Sequence, residues 1–136
     1  MENNKIKRVF VSDLLTSKVH LAETKTINGK YTIKESKGEG IINQILLKSD
    51  SNAYTIQVLV DKNILYDKPF SFFFTDTLNI DNVSAYKTGA VYYLSIQNLA
   101  FQKGFLVRIV STASITLNLA HIRYSIRDEI YINTGD

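Results

Sequence analysis

Apolar residues recur at every second position through much of this chain, the period of strands with one face buried and the other wet. The pattern is clearest over residues 104 to 126. Phe105, Val107 and Ile109 share one side, and after a short polar turn Ile115, Leu117 and Leu119 share a side again, so that Gly104 to Ser111 is expected to pair with Ile115 onward. Ile122, Tyr124 and Ile126 then fall on the opposite parity, so the strand is expected to bulge or bend near Ala120 and His121, or to cross between facing sheets. Earlier, Lys18 to Glu35 alternates around Asn28-Gly29, a pair that predicts a tight hairpin because both residues accept positive φ. Ile41 to Lys48 is apolar on both sides, as in a central strand or one covered by a contact. Tyr54, Ile56, Val58 and Val60 point inward, with Thr55 and Gln57 outward, before Asp61-Lys62-Asn63 reverses the chain.

Pro69 precedes Phe70-Ser71-Phe72-Phe73-Phe74, which reads as a strand start with Phe70, Phe72 and Phe74 together and Phe73 on the other face. Residues 75 to 89 read as a loop and Ala90 to Gln97 as a further strand. Short strands at regular spacing, without a helical pattern of ten residues, predict an antiparallel all-β sandwich or barrel of seven to nine strands. Residues 1–16 are expected to form an extended N-terminal arm, and 17–136 a single β-sandwich domain.

The chain has 136 residues, 45% of them apolar and 21% charged, enough for one packed domain and unlike a disordered one. It has no cysteine, which excludes disulfides, thiolate metal sites and thiol nucleophiles. Val9-Phe10-Val11 is too short for a signal-peptide core, and no stretch approaches the roughly 18 to 20 apolar residues of a spanning helix. A protein made in the cytoplasm, with no membrane contact, is the expectation. Net charge is +3, and its excess lies in residues 1–37, with eight Lys or Arg against four Asp or Glu. That segment reads as a solvated arm, and nucleic acid is not expected as a partner.

Chemistry-bearing patterns are sparse. His20 and His121 are the only histidines, and no Gly-x-Ser-x-Gly elbow surrounds a serine, so no residue is assigned a catalytic role. Asp76, Asn79, Asp81 and Asn82 do not follow calcium-loop order; they serve as turn formers, with a calcium ion between loop carboxylates as the open alternative. No metal or cofactor is assigned. Gly38-Glu39-Gly40 lacks the third glycine of a nucleotide fingerprint and precedes a strand, so it reads as permissive backbone at a bend. Asn82-Val83-Ser84 matches the glycosylation pattern by chance, and Asp128-Glu129 reads as part of an exposed tail.

The eight tyrosines and seven phenylalanines are the stronger lead. Phe73 and one of Tyr92 and Tyr93 are expected off the core face, where they would serve packing, an oligomer interface or a sugar-stacking platform. Lys5, Lys7, Arg8, Val9, Phe10 and Val11 are the arm residues expected to add to a sheet edge, and with Phe73 they form the candidate assembly interface. Tyr86 and Tyr92 are the candidate ligand contacts.

Gly38-Glu39-Gly40-Ile41-Ile42, Tyr54 to Asp61, and Leu94-Ser95-Ile96-Gln97 leading through Phe101 to Phe105-Leu106-Val107-Arg108-Ile109 follow one another in a rhythm that resembles small β-sandwich virion proteins of tailed bacteriophages. In those proteins the Asp at the turn is often followed by Gly, where this chain has Lys62-Asn63. The resemblance covers residues 38 to 126 and carries no functional residue across. It implies a jelly-roll-like sandwich and a non-enzymatic structural role, capsid- or tail-associated, as a decoration or connector protein of the virion. Its partners would be copies of itself and other virion proteins. The alternative is a module that recognises a host-surface glycan or protein.

Overall fold

In the computed structural model, residues 6–76 and 82–133 are described, with side chains over 15–74 and 82–127. The described residues form one antiparallel sheet of seven strands curled into a half-barrel. The strands are β1 (Ile6–Lys37), β2 (Gly40–Ser49), β3 (Thr55–Val60), β4 (Asn63–Pro69), β5 (Val83–Thr88), β6 (Val91–Phe101) and β7 (Gly104–Asn133), with one helix, α1 (Phe70–Asp76). Their order is β4-β3-β7-β2-β6-β5, and β1 lies along β7.

β7 is the trunk. Its residues Phe105 to Val110 pair with β3 and its residues Leu117 to Ile126 with β2, while β1 follows it from Lys37↔Gly104 to Ile6↔Asn133. Phe105 and Tyr124, nineteen residues apart, have ring centroids only 5.3 Å from each other. A straight strand would separate them by about 60 Å. β7 therefore folds back on itself between its two halves. The fold-back lies where Ile27 pairs with Ile115 and Gly29 with Ser111, so that Thr112, Ala113 and Ser114 stand against Asn28 alone.

The two turn signals of the sequence thus meet each other. Neither makes a hairpin: β1 runs through Asn28-Gly29 and β7 runs through residues 111–114. Gly29, at φ +97°, supplies the left-handed residue of a shared bulge instead of a type I′ turn. The Ser111 hydroxyl accepts from the Ala113 N–H at 3.3 Å and reaches the carbonyls of Ala113 and, at 3.1 Å, Ala53. Asp50 holds the outgoing strand, accepting from the Thr116 N–H at 2.9 Å and donating its own N–H to the Thr116 carbonyl at 3.1 Å.

The parity switch expected near Ala120 is present, slightly earlier. Ile115 and Leu117 are buried, then Ala120, Ile122 and Tyr124, and the β2 ladder skips Asn118 between Lys48↔Leu119 and Ser49↔Leu117. A second skip, at Asn43, explains why β2 looked apolar on both sides, since Ile42 and then Ile45 and Leu47 are the buried set. The Asn43 side chain accepts from the Ser125 hydroxyl at 2.9 Å across that bulge. On β3, Ile56 and Val58 are buried and Gln57 lies outward, bonded to Asp67 at 3.1 Å and to Arg108.

Residues 70–74 correct the strand expectation, because they open α1. Phe70, Phe73 and Phe74 are three and four apart on a helix, and the first two are wholly buried while Phe74 is half exposed. Phe73, nominated for the assembly surface, is therefore a core residue, edge-on to Tyr66 at 5.4 Å and to Phe72 at 5.3 Å. Phe70 packs at a tilt against Tyr54 and edge-on against Tyr92. α1 packs on both β4 and β5, the two ends of the main strand order. It closes the mouth of the half-barrel with aromatic rings. The expected loop at 75–89 contains β5 over Val83–Thr88, and residues 77–81, with Asn79 and Asp81, lie outside the described residues.

Candidate functional site

Asp61 organises the tightest polar cluster. Val60 pairs with Asn63, so Asp61 and Lys62 form a two-residue hairpin loop, both at positive φ (54° and 67°) as a type I′ turn demands. The Asp61 carboxylate then accepts from the backbone N–H groups of Gln102 (3.0 Å), Lys103 (2.6 Å) and Gly104 (3.2 Å). The Lys103 N–H bond leads the causes that hold its pKa below the usual carboxylate range. Beside it a hollow of about 210 Å³ is lined by Ser36, Lys37, Leu59, Lys103 and Leu106. With its oxygens committed to the backbone, Asp61 ties two loops together and has no evident base chemistry.

The sign of the linkage follows from that depressed pKa. The ionised carboxylate stabilises the fold above the ordinary carboxylate pKa of about 3.9, and the contribution is lost as pH falls through the lower folded value. Asp61→Asn is expected to lower the urea midpoint at neutral pH, with the gap to wild type narrowing as pH falls toward about 2.5. A gap of constant size across that range would show that charge plays no part.

The candidate ligand contacts separate. Tyr86 pairs with Tyr93 on the outer face of β5 and β6, stacked at 4.7 Å with 8° between ring planes, and Lys48 Nζ lies 5.4 Å from the Tyr93 ring centre. Tyr92 takes the other face, where Lys87 lies 5.1 Å over its ring and Phe70, Phe74 and Asn52 complete a hollow of about 200 Å³. Tyr86 and Tyr92 therefore share no platform. His20 and His121 likewise point to opposite faces, His20 beside Ile122 on the inner side and His121 beside Leu21 on the outer. Among the described residues no three His, Asp or Glu side chains converge on one point, and no helix is long and apolar enough to cross a membrane. Tyr54 is buried in the core next to Ser49, and burial pushes its hydroxyl pKa far above the usual range.

Of the arm, Ile6 to Phe10 pair in register with Asn133 to Glu129 of the same chain. Lys7, Arg8, Val9 and Phe10 thus have backbone partners within the molecule. Lys5 lies outside the described residues, as do the side chains of Lys7 to Val11. From Leu15 onward β1 is described in full, and it holds the feature that sequence reading undervalued. Val19 and Leu21 lie opposite Arg123 and His121, on the outer face, and are 60% and 50% exposed. Their alternation suggests a core face, yet the inner positions of this stretch are Lys18, His20 and Ala22, of which Ala22 alone is buried. Beside them on the same face, Leu119 and Leu46 are half-buried. One signal was available in advance: the first 28 residues contain neither Gly nor Pro, as a long uninterrupted strand requires.

The open side of β1 completes this surface. Among the described residues β1 pairs only with β7, leaving its other row of N–H and C=O groups facing outward. No family model matches the chain, and no curated protein matches it.

Proposed function

We propose that this chain is a non-enzymatic structural protein of a tailed-bacteriophage-like virion, capsid- or tail-associated, assembling through symmetric contacts between its own copies and with other virion proteins. One observation carries the assembly part: a long strand whose only ladder partner among the described residues is β7 bears the exposed side chains of Val19 and Leu21. Soluble proteins blunt such edges with prolines, charges or short strands, and a long edge that keeps two exposed aliphatic side chains between its charged residues Lys18 and Glu23 marks a contact surface. The virion part rests on the strand rhythm of residues 38 to 126. On this reading the half-barrel, with its fold-back at residues 111–114, is a jelly-roll-like sandwich, and the protein resides in the particle after synthesis in the host cytoplasm.

Immunoelectron microscopy with antibody raised against the purified chain tests the placement. Tailed particles released by lysing cells of the source culture should carry label at a fixed position. Label confined to cell debris would overturn the virion reading.

A further inference from the structure

We propose that β1 pairs antiparallel with β1 of a second copy about a two-fold axis at His20, setting Val19 of each copy opposite Leu21 of the other. The inference rests on the assembly reading and specifies its contact.

Among the described residues three edges bound the sheet. β4 has seven residues, ends on Pro69, carries Asp67 and Lys68, and contacts α1; β5 has six residues and also contacts α1. β1 has 32 residues, lacks proline and has β7 as its only ladder partner among the described residues. Its regular stretch runs from Leu15 to Glu23, paired one-for-one with Arg127 to Leu119. A register shift after Phe10 bounds it on one side and Thr24, at φ 51°, on the other. Neither β4 nor β5 is long enough to cover that stretch. The edge that matches it in length is β1 itself, and identical edges close into a dimer through an isologous contact.

Register follows from side-chain identity. About a two-fold normal to the sheet, directly opposed residues lie on the same face, so the axis must pass through a residue position. An axis at Val19 would oppose Lys18 to His20 and leave Leu21 against Ser17. An axis at Leu21 would set Val19 against Glu23. An axis at His20 pairs Val19 with Leu21 twice on the outer face, sets Lys18 against Ala22 and Ser17 against Glu23, and opposes no like charges at those positions. The sheet then continues from β5-β6-β2-β7-β1 of one copy into the same strands of the next.

Because the chain has no cysteine, one introduced thiol reports the geometry without background. Opposed residues in an antiparallel pair have Cα atoms about 4.5 to 5.5 Å apart, within the span of a disulfide. In the full-length protein, oxidised His20→Cys is expected to run mainly as a covalent dimer on a non-reducing gel. Thr26→Cys, whose two copies would lie about 40 Å apart, should stay monomeric there. The double variant V19K/L21K, altered only at exposed positions, should weaken association by roughly a hundredfold with an unchanged far-ultraviolet circular dichroism spectrum at 25 °C, and its melting temperature should lose the rise with protein concentration that the wild type shows. An oligomer in sedimentation whose His20→Cys form does not cross-link would overturn the β1 contact while leaving assembly standing. Equal cross-linking of Thr26→Cys would overturn the register. A chain that stays monomeric at every concentration would overturn both the contact and the assembly reading.

Discussion

Replacing Gly40 with alanine is expected to cost about 3 kcal/mol or more of folding stability, read as a lowered urea midpoint with little change in slope. A Cβ on Gly40 would sit 1.9 Å from the Ser125 carbonyl oxygen and 3.0 Å from the Ile126 Cα, both backbone atoms of β7. Neither can move alone. Gly40 opens β2, which pairs with β7 on one side and β6 on the other, and the neighbouring Glu39 carbonyl and carboxylate already hold Arg127 through its N–H at 2.9 Å and its guanidinium at 3.2 Å. Relief would require β2 and β7 to part at the start of their ladder. Gly29→Ala provides the contrast, since nothing lies within 4 Å of its Cβ position and its cost is the left-handed backbone alone, about 1 to 2 kcal/mol. Similar losses for the two variants would mean that β2 and β7 are not so closely apposed.

The second large effect separates the helix from the strand that residues 70–74 resemble. Phe73→Ala should destabilise by about 3 to 5 kcal/mol, the cost of emptying a fully buried phenylalanine site, while Phe74→Ala should cost about 1 kcal/mol or less. Phe73 packs edge-on against Tyr66 of β4, and α1 also touches β5, so the truncation loosens the closure of the half-barrel mouth at both rims. If these residues formed a strand, the order would invert. Phe74 would then be the costly position. Chemical denaturation of the two single variants decides the matter.

That inversion shows where sequence reading lost information. Phe-Ser-Phe-Phe-Phe satisfies a period of two through Phe70, Phe72 and Phe74 and a helical period through Phe70, Phe73 and Phe74 equally well. The rings of Tyr54 and Tyr92, sixteen and twenty-two residues from Phe70, together with that of Tyr66 on β4, select the helix. Asn28-Gly29 and Ser111 to Ser114 were read as two local turns for a similar reason: turn propensity is local, and their mutual pairing as one shared bulge is not. By contrast, the inward set on β3, the central place of β2 and the parity switch of β7 were legible, because alternation against a buried face leaves its mark in each strand separately. Gly40 was read as a bend when its constraint is the closeness of another strand. The exposed pair Val19 and Leu21 was hidden because alternation reveals a two-faced strand but not which face the core takes. The partners needed to settle that, Ile122 against His20 and His121 against Leu21, lie a hundred residues further along.

Sedimentation equilibrium of the intact protein, beside V19K/L21K, tests the central claim most directly. The wild type is expected to give the mass of a dimer or a multiple of it, and the variant the mass of one chain, both with the same far-ultraviolet circular dichroism spectrum. A wild type that holds the single-chain mass up to the highest soluble concentration would contradict the account of β1 as an edge built to meet its copy.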